Sequence, residues 1–249
     1  MVVYIIMTVF AVILSAFANI KKNNKKSNKK FAINFRLLAW YTSELILIII
    51  AAIRYDVGQD YMYTYVPYFN NVLGGSANMD MEYGFFLLNK FAQLFTHDYV
   101  GIFVICSVIF FHYIYKAIRE QSPIPTLSIF LLVGTTYYFI FLNAMRQMIV
   151  IAIFLYAIKY IKERKFWKYF IYMLISSMIH TSAIVLIPMY FLYGIKLRPL
   201  KAGIIALILV FAKPLLANVM NYIVGLTKYS YYIDSRFDTA EIRIYCIGD

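Results

Sequence analysis

Acidic residues and reactive sulphur are both scarce in this chain. Only 12 of its 249 residues are Asp or Glu, there are two cysteines, and charged residues of either sign make up 14%. Cys106 and Cys246 are far apart, and Cys106 lies inside an apolar run, which argues against a disulfide framework. With three histidines in all, no His/Cys/Asp/Glu group has metal-ligand spacing. No glycine-rich phosphate loop occurs, and no Ser, His and Asp fall at triad spacing. These absences argue against a nucleotide-using cytoplasmic enzyme and imply no cofactor or metal.

Hydrophobic residues are abundant instead, at 63% of the chain, with a mean hydropathy of +0.70. A soluble domain of this size cannot bury so much apolar surface, and runs of about 18 apolar residues read as membrane spans. The fold class expected is all-α, a polytopic helical bundle in the lipid bilayer. Its candidate spans are roughly 2–19, 36–53, 99–115, 124–142, 146–161, 168–180, 182–195 and 203–224. Residues 1–224 then form the transmembrane domain and 225–249 a polar extracytoplasmic tail.

The formal net charge of +12 bears on topology before it bears on nucleic acid, because Lys and Arg collect in cytoplasmic loops. The loop after the first run holds six lysines and Arg36, whereas no basic residue precedes that run. A signal peptide carries its charges first, so the run reads as a retained span with its N-terminus outside. Alternation puts 54–98, of net charge −3, on the outer face and the cationic stretch 159–168 in the cytoplasm. Segment 168–194 reads as one long helix or as two short halves. Breaking it at His180 returns Lys196, Arg198 and Lys201 to the cytoplasmic side, so the broken pair is preferred. Segment 83–97 reads as an amphipathic helix lying on the outer surface.

This topology gathers Arg54, Asp56, Asp60, Glu82, Asn143, Arg146, Gln147, His180, Lys228 and Arg236 on one face. Ionisable groups at a bilayer are costly and are functional candidates by default. Arginine forks suit phosphate, and carboxylates or a histidine suit proton transfer. Each residue also has a plainer reading. Arg54 is explained as a snorkelling anchor, Asp56 and Asp60 as solvated loop charges, Glu82 as a helix cap, and His180 as a turn residue. Tyr61 and Tyr65 suit the interfacial belt better than a sugar platform. Glu44 and Lys213 lie within spans and are given no role.

The stretches RYDVGQDY (54–61), EYGF (82–85), NAMRQ (143–147) and IHTSAIVLIP (179–188) occur in order on that face. Together they resemble the EpsG-like family, the Wzy-type polymerases of bacterial exopolysaccharide and capsule, over roughly residues 41–232. The resemblance implies a plasma-membrane glycosyltransferase that joins oligosaccharide repeat units carried on undecaprenyl pyrophosphate at the outer leaflet. Chain-length regulator and flippase proteins would be its partners. Carried onto these positions, it implies that Arg54, Arg146 and Arg236 hold pyrophosphate and that His180 or Asp60 accepts the hydroxyl proton. Glu82, Asn143 and Gln147 would bind sugar. Members of the family continue with further spans past the loop that begins near Lys228, so a chain ending at Asp249 reads as a shortened copy. An O-antigen-ligase-like transferase and a transporter of lipid-linked sugars are the alternatives. A transporter would place its polar site near the midplane, on repeated broken helices.

The topology is checked by labelling intact cells with a membrane-impermeant thiol reagent, after Cys106 and Cys246 are replaced. Arg146→Cys and His180→Cys should label from outside and Ser27→Cys should not. Protection of position 180 alone would remove the histidine from the outer face.

Overall fold

The computed structural model describes residues 2–19, 29–75, 81–195 and 203. The chain divides into two units, Met1–Tyr193 and Gly194–Asp249, and every element below belongs to the first. The expected span 203–224, the tail 225–249 and Lys213 lie outside the described residues, Gly203 excepted. All described elements are helical: α1 (Val2–Asn19), α2 (Lys29–Ala52), a π-helical turn (Tyr61–Tyr65) running into α3 (Val66–Leu73), and α4 (Tyr83–Gln93). There follow α5 (Val100–Gln121), α6 (Pro125–Gly134), α7 (Tyr137–Asn143), α8 (Met145–Lys162), α9 (Phe166–Ile179), a 3-10 segment (Thr181–Leu186) and α10 (Met189–Leu192).

Small residues at fourfold spacing draw the first two helices together. Met7, Ala11 and Ser15 are the buried stripe of α1. Ala39, Ser43, Leu47 and Ala51 form the matching buried stripe of α2. Lipid supplies no hydrophobic drive between helices, so close approach and polar contacts take its place. Here Ser43 Oγ donates to the Ala11 carbonyl at 2.8 Å and also shares a 2.8 Å hydrogen bond with the Tyr115 hydroxyl of α5. The rest of α1 presents Val2, Ile5, Ile6, Val9, Phe10, Ile13 and Phe17 outward, as a lipid-facing helix must.

Helices α5 and α8 run in the same direction. Arg54 reaches Met145 at the start of α8 and lies over Phe103 near the start of α5. At their far ends, Gln121 bonds the Leu155 carbonyl and Lys159 pairs with Glu120 at 2.5 Å.

Three described helices are long and apolar enough to cross a membrane: Val2–Asn19, Asn34–Ala52 and Val100–Gln121. The expected span 124–142 is instead two helices, α6 and α7, that meet at 53° and together make a fourth. The cause is local. Thr136 sits at φ +69, a left-handed conformation that ends a helix, and the Thr135 hydroxyl adds a 2.5 Å hydrogen bond to the Leu131 carbonyl, which also accepts the Thr135 amide at 2.9 Å. The expectation of about eight spans is thus met by three or four among the described residues. Helix α8 has 18 residues but carries Arg146, Lys159 and Lys162. Helix α9 has 14, about 21 Å, short of a ~30 Å hydrocarbon core. The chain does break at His180, whose backbone is extended between α9 and the 3-10 segment.

Helix α4 differs from a helix merely resting on the surface. Phe85, Asn89 and Ala92 are buried, and Gly84 lies against the C-terminal end of α9. A Cβ on Gly84 would stand 2.6 Å from the Met178 carbonyl oxygen. Gly84→Ala should therefore lower thermal stability in detergent by about 1–3 kcal/mol. Gly134→Ala, whose Cβ meets only ordinary contacts at 3.8 Å, should be neutral or stabilising. Equal melting of the two variants would contradict the close α4–α9 contact.

Candidate functional site

Five breaks in helical structure converge at one end of the bundle: the end of α2, the loop before the π-turn, the start of α4, the α7–α8 junction and His180. Two groups of side chains join them.

The first is centred on Glu82. Its Oε2 accepts a hydrogen bond from Arg146 Nη1 at 2.5 Å, and its Oε1 lies 2.9 Å from His180 Nδ1. The Thr181 amide and hydroxyl lie 3.5 and 3.4 Å from that same Oε1. Glu82 stands at the N-cap position of α4, but its carboxylate caps nothing there; it reaches across to α8 and the α9 break instead. Burial pushes this carboxyl up. The hydrogen bond to His180 and the charge of Arg146 outweigh that and hold it down at about 2. Glu82 is therefore a carboxylate across the physiological range, and a carboxylate only accepts. Nδ1 of His180 must carry the proton, so Nε2 of the neutral ring offers its lone pair. A carboxylate that fixes a histidine's tautomer and orientation is the arrangement of general-base catalysis.

Arg146 is held on three sides. Its guanidinium lies 5.5 Å from the Tyr68 ring centre and 5.4 Å from that of Phe85, and its side chain is 18% exposed. Gln147 beside it is exposed.

The second group braces the α7–α8 junction. The Tyr65 hydroxyl donates to the Asn143 carbonyl at 3.0 Å and accepts from the Met145 amide at 2.8 Å. Burial pushes that phenol up, which keeps it neutral and able to do both. Asn143 Oδ1 accepts the Asp60 amide at 3.2 Å, and Gly58, at φ +91, packs directly on Asn143. Asp60 is half-buried, with the Thr64 hydroxyl 3.5 Å from its carboxylate. Among the described residues, no hydrogen bond or ion pair joins it to the Glu82 group. Asp56 is exposed.

Arg54 occupies a different setting from the one anticipated. It is 5% exposed. Its guanidinium donates to the Ala51 carbonyl at 2.6 Å, the Leu142 carbonyl at 3.1 Å and Met145 Sδ at 3.0 Å, and lies 4.5 Å from the centre of the Phe103 ring. It ties the last turn of α2 to the last turn of α7, and does not face outward as a snorkelling anchor would. Arg236 and Lys228 lie outside the described residues.

Sequence reasoning missed Tyr65, Thr181 and the aromatic pair around Arg146. Tyr61 and Tyr65 are buried at 0% and 2% exposure, not interfacial, whereas Tyr55 and Tyr63 are exposed. The i, i+4 spacing of Tyr61 and Tyr65 was the available signal.

An ion-paired histidine assembled from broken helices at one end of a helical membrane bundle defines a polar site there. Residues 37–247 match the EpsG family. The chain belongs to that family, which is related to the Wzy-like polymerases, and is an exopolysaccharide-related membrane protein. No curated protein and no solved structure matches it.

Removing one partner of a buried ion pair strands the other. Glu82→Gln should destabilise the protein by about 3 kcal/mol at neutral pH, read as a fall in thermal unfolding in detergent. The carboxyl of Glu82 is depressed by folding, so its contribution is complete above about pH 4.5 and fades as pH falls toward about 2. The gap between wild type and variant should close over that window. A gap independent of pH there would refute the ion-pair account.

Proposed function

We propose that this protein polymerises undecaprenyl-pyrophosphate-linked oligosaccharide repeat units at the outer leaflet of the bacterial plasma membrane. The observation that carries the reading is the Glu82 carboxylate shared between His180 Nδ1 and Arg146. It supplies an oriented base and a cation side by side. Membership of the EpsG family supports the polysaccharide chemistry.

In this reading the acceptor hydroxyl, on the incoming lipid-linked unit, gives its proton to His180 Nε2. Its oxygen bonds the anomeric carbon of the growing chain. The bond from that carbon to the pyrophosphate oxygen breaks, and undecaprenyl pyrophosphate leaves. Arg146 stabilises the leaving pyrophosphate with guanidinium donors that Glu82 leaves free, the electrostatic role for which preorganised cations serve best. Gln147, exposed on the same turn, contacts sugar, and Arg236 remains a proposed second pyrophosphate ligand. Asn143 and Asp60 shape the adjoining loop. Arg54 acts at one remove, as the brace that sets the position of Met145 and therefore of Arg146. Glu82, held as a carboxylate, orients His180 and does not itself take the proton. A ligase would use the same donor chemistry and differ only in the acceptor.

The test is polymer formation in a host lacking its own copy of the gene. His180→Ala should cut polymer yield by about 10²–10⁴-fold, the span general-base removal commonly shows. Arg146→Ala should leave lipid-linked single units accumulating. Unaltered polymer length and yield in Arg146→Ala would overturn the proposal. Transfer of units to a different acceptor, with no polymer, would favour the ligase reading.

A further inference from the structure

The opposite end of the bundle holds a second polar site that the proposed reaction does not use. Arg36 is 18 residues before Arg54 along α2 and its adjoining loop, about 27 Å at helical rise, so it lies a full helix length from the Glu82 group. Two clefts open there. One, of about 190 Å³, is lined by Ala18, Asn19, Arg36, Leu37, Trp40 and Arg119. The other, of about 280 Å³, shares Trp40 and Arg119 and adds Lys116 and Glu120, with Glu44 and His112 at its deeper end.

The charges of these clefts are unbalanced. Glu120 is taken by Lys159 at 2.5 Å. Glu44 faces His112 at 4.0 Å. Lys116 lies 4.8 Å from the Tyr156 ring centre. No described residue makes an ion pair or hydrogen bond with Arg36 or Arg119. In the sequence, residues 21–30, KKNNKKSNKK, hold six lysines and no acid, and Asn19, the last residue of α1, lines the first cleft. Part of the first cleft's lining is apolar: Ala18, Leu37 and Trp40 flank the arginines, and Phe17 and Leu38, next to them in sequence, are exposed.

We propose that these joined clefts bind the phosphate headgroup of an anionic phospholipid in the leaflet facing the lysine-rich loop. Arg36 and Arg119 supply the guanidinium forks, and the acyl chains run along α1 and α2. Basic pockets between helices at a membrane face are suited to such headgroups. The apolar residues beside the arginines argue for a lipid over a soluble phosphate, which gains nothing from Leu37 or Ala18. This site is independent of the proposed polymerase chemistry.

The test uses the delipidated full chain, incubated with equimolar phosphatidylglycerol and phosphatidylcholine and read by native mass spectrometry. Wild type should retain phosphatidylglycerol preferentially. Removing two cations, in Arg36→Gln/Arg119→Gln, should cut that preference about thirtyfold. If that double variant fails to fold, Arg119→Gln alone, at an exposed position, should cut it about fivefold. Lys162→Gln/Lys168→Gln removes two exposed cations at the same end but off the clefts, and should leave the preference intact. Undiminished preference in the arginine variants, or an equal loss in the lysine pair, would overturn the site. Displacement of phosphatidylglycerol by inorganic phosphate at matched concentration would overturn the lipid assignment.

Discussion

The Glu82 carboxylate, divided between His180 and Arg146, is the contact on which this end of the bundle depends. It joins segments 64 and 98 residues apart, and each would be out of place without it. The broken end of α9 has no other described anchor for its histidine ring, and α4 owes its position over α9 partly to the same bond. An ion pair of this kind contributes little net stability once desolvation is counted. Its value lies in uniqueness: a buried charge that must be matched excludes every arrangement in which it is not. The cluster therefore specifies how the α4 segment meets the α8 and α9 ends, and leaves His180 Nε2 and the remaining Arg146 donors pointing away from the match.

Two arginines at the same end illustrate how local backbone decides chemistry. Arg54 and Arg146 have the same side chain, a similar sequence depth, and comparable aromatic neighbours. Arg54 follows the last turn of α2, where the Ala51 carbonyl lacks a helical partner, and meets the Leu142 carbonyl at the end of α7. Helix ends leave such carbonyls unsatisfied, and away from water they require donors. Arg54 meets that requirement and is thereby committed to structure. Arg146 begins a helix, where free amides and not carbonyls are exposed, so its guanidinium finds no backbone acceptor and turns to Glu82. The same rule separates an arginine that braces backbone carbonyls from one that pairs with a carboxylate.

Much of this was legible in the sequence. Hydropathy and the lysine asymmetry were enough for a helical membrane chain, and span parity placed Glu82, Asn143, Arg146 and His180 at one end, where three of them touch. The break at His180 followed from the length of the run and the cations beyond it. The kink at Thr136 was not legible, because two threonines after a glycine in an apolar run are compatible with a straight span. The inward turn of Arg54 was hidden for a related reason. It depends on carbonyls at the ends of two helices that are 91 residues apart from Ala51 to Leu142, and no pattern local to RYDVGQDY reports them. Tyr65 was misjudged by composition: a tyrosine-rich stretch suggests an interface, while the fourfold spacing of Tyr61 and Tyr65 shows a face turned inward.

The broken helices follow from the same constraint. An unbroken helix satisfies its own backbone and presents side chains only sideways, toward lipid or toward neighbouring helices. In the proposed reaction, a chain that aims a base and a cation at a headgroup must end its helices near them and supply partners for what is exposed. The Tyr65 hydroxyl bridges the one-residue gap between α7 and α8 from both sides. Arg54 covers the carbonyls beside it, and Asn143 reaches back to the Asp60 amide. These three residues touch no substrate in the proposed reaction, yet they hold the junction from which Arg146 projects. Loosening any of them would move the guanidinium relative to His180. Ångström-scale misplacement of a catalytic pair costs orders of magnitude in rate even when every reacting group is present, so the brace and the site behave as one unit.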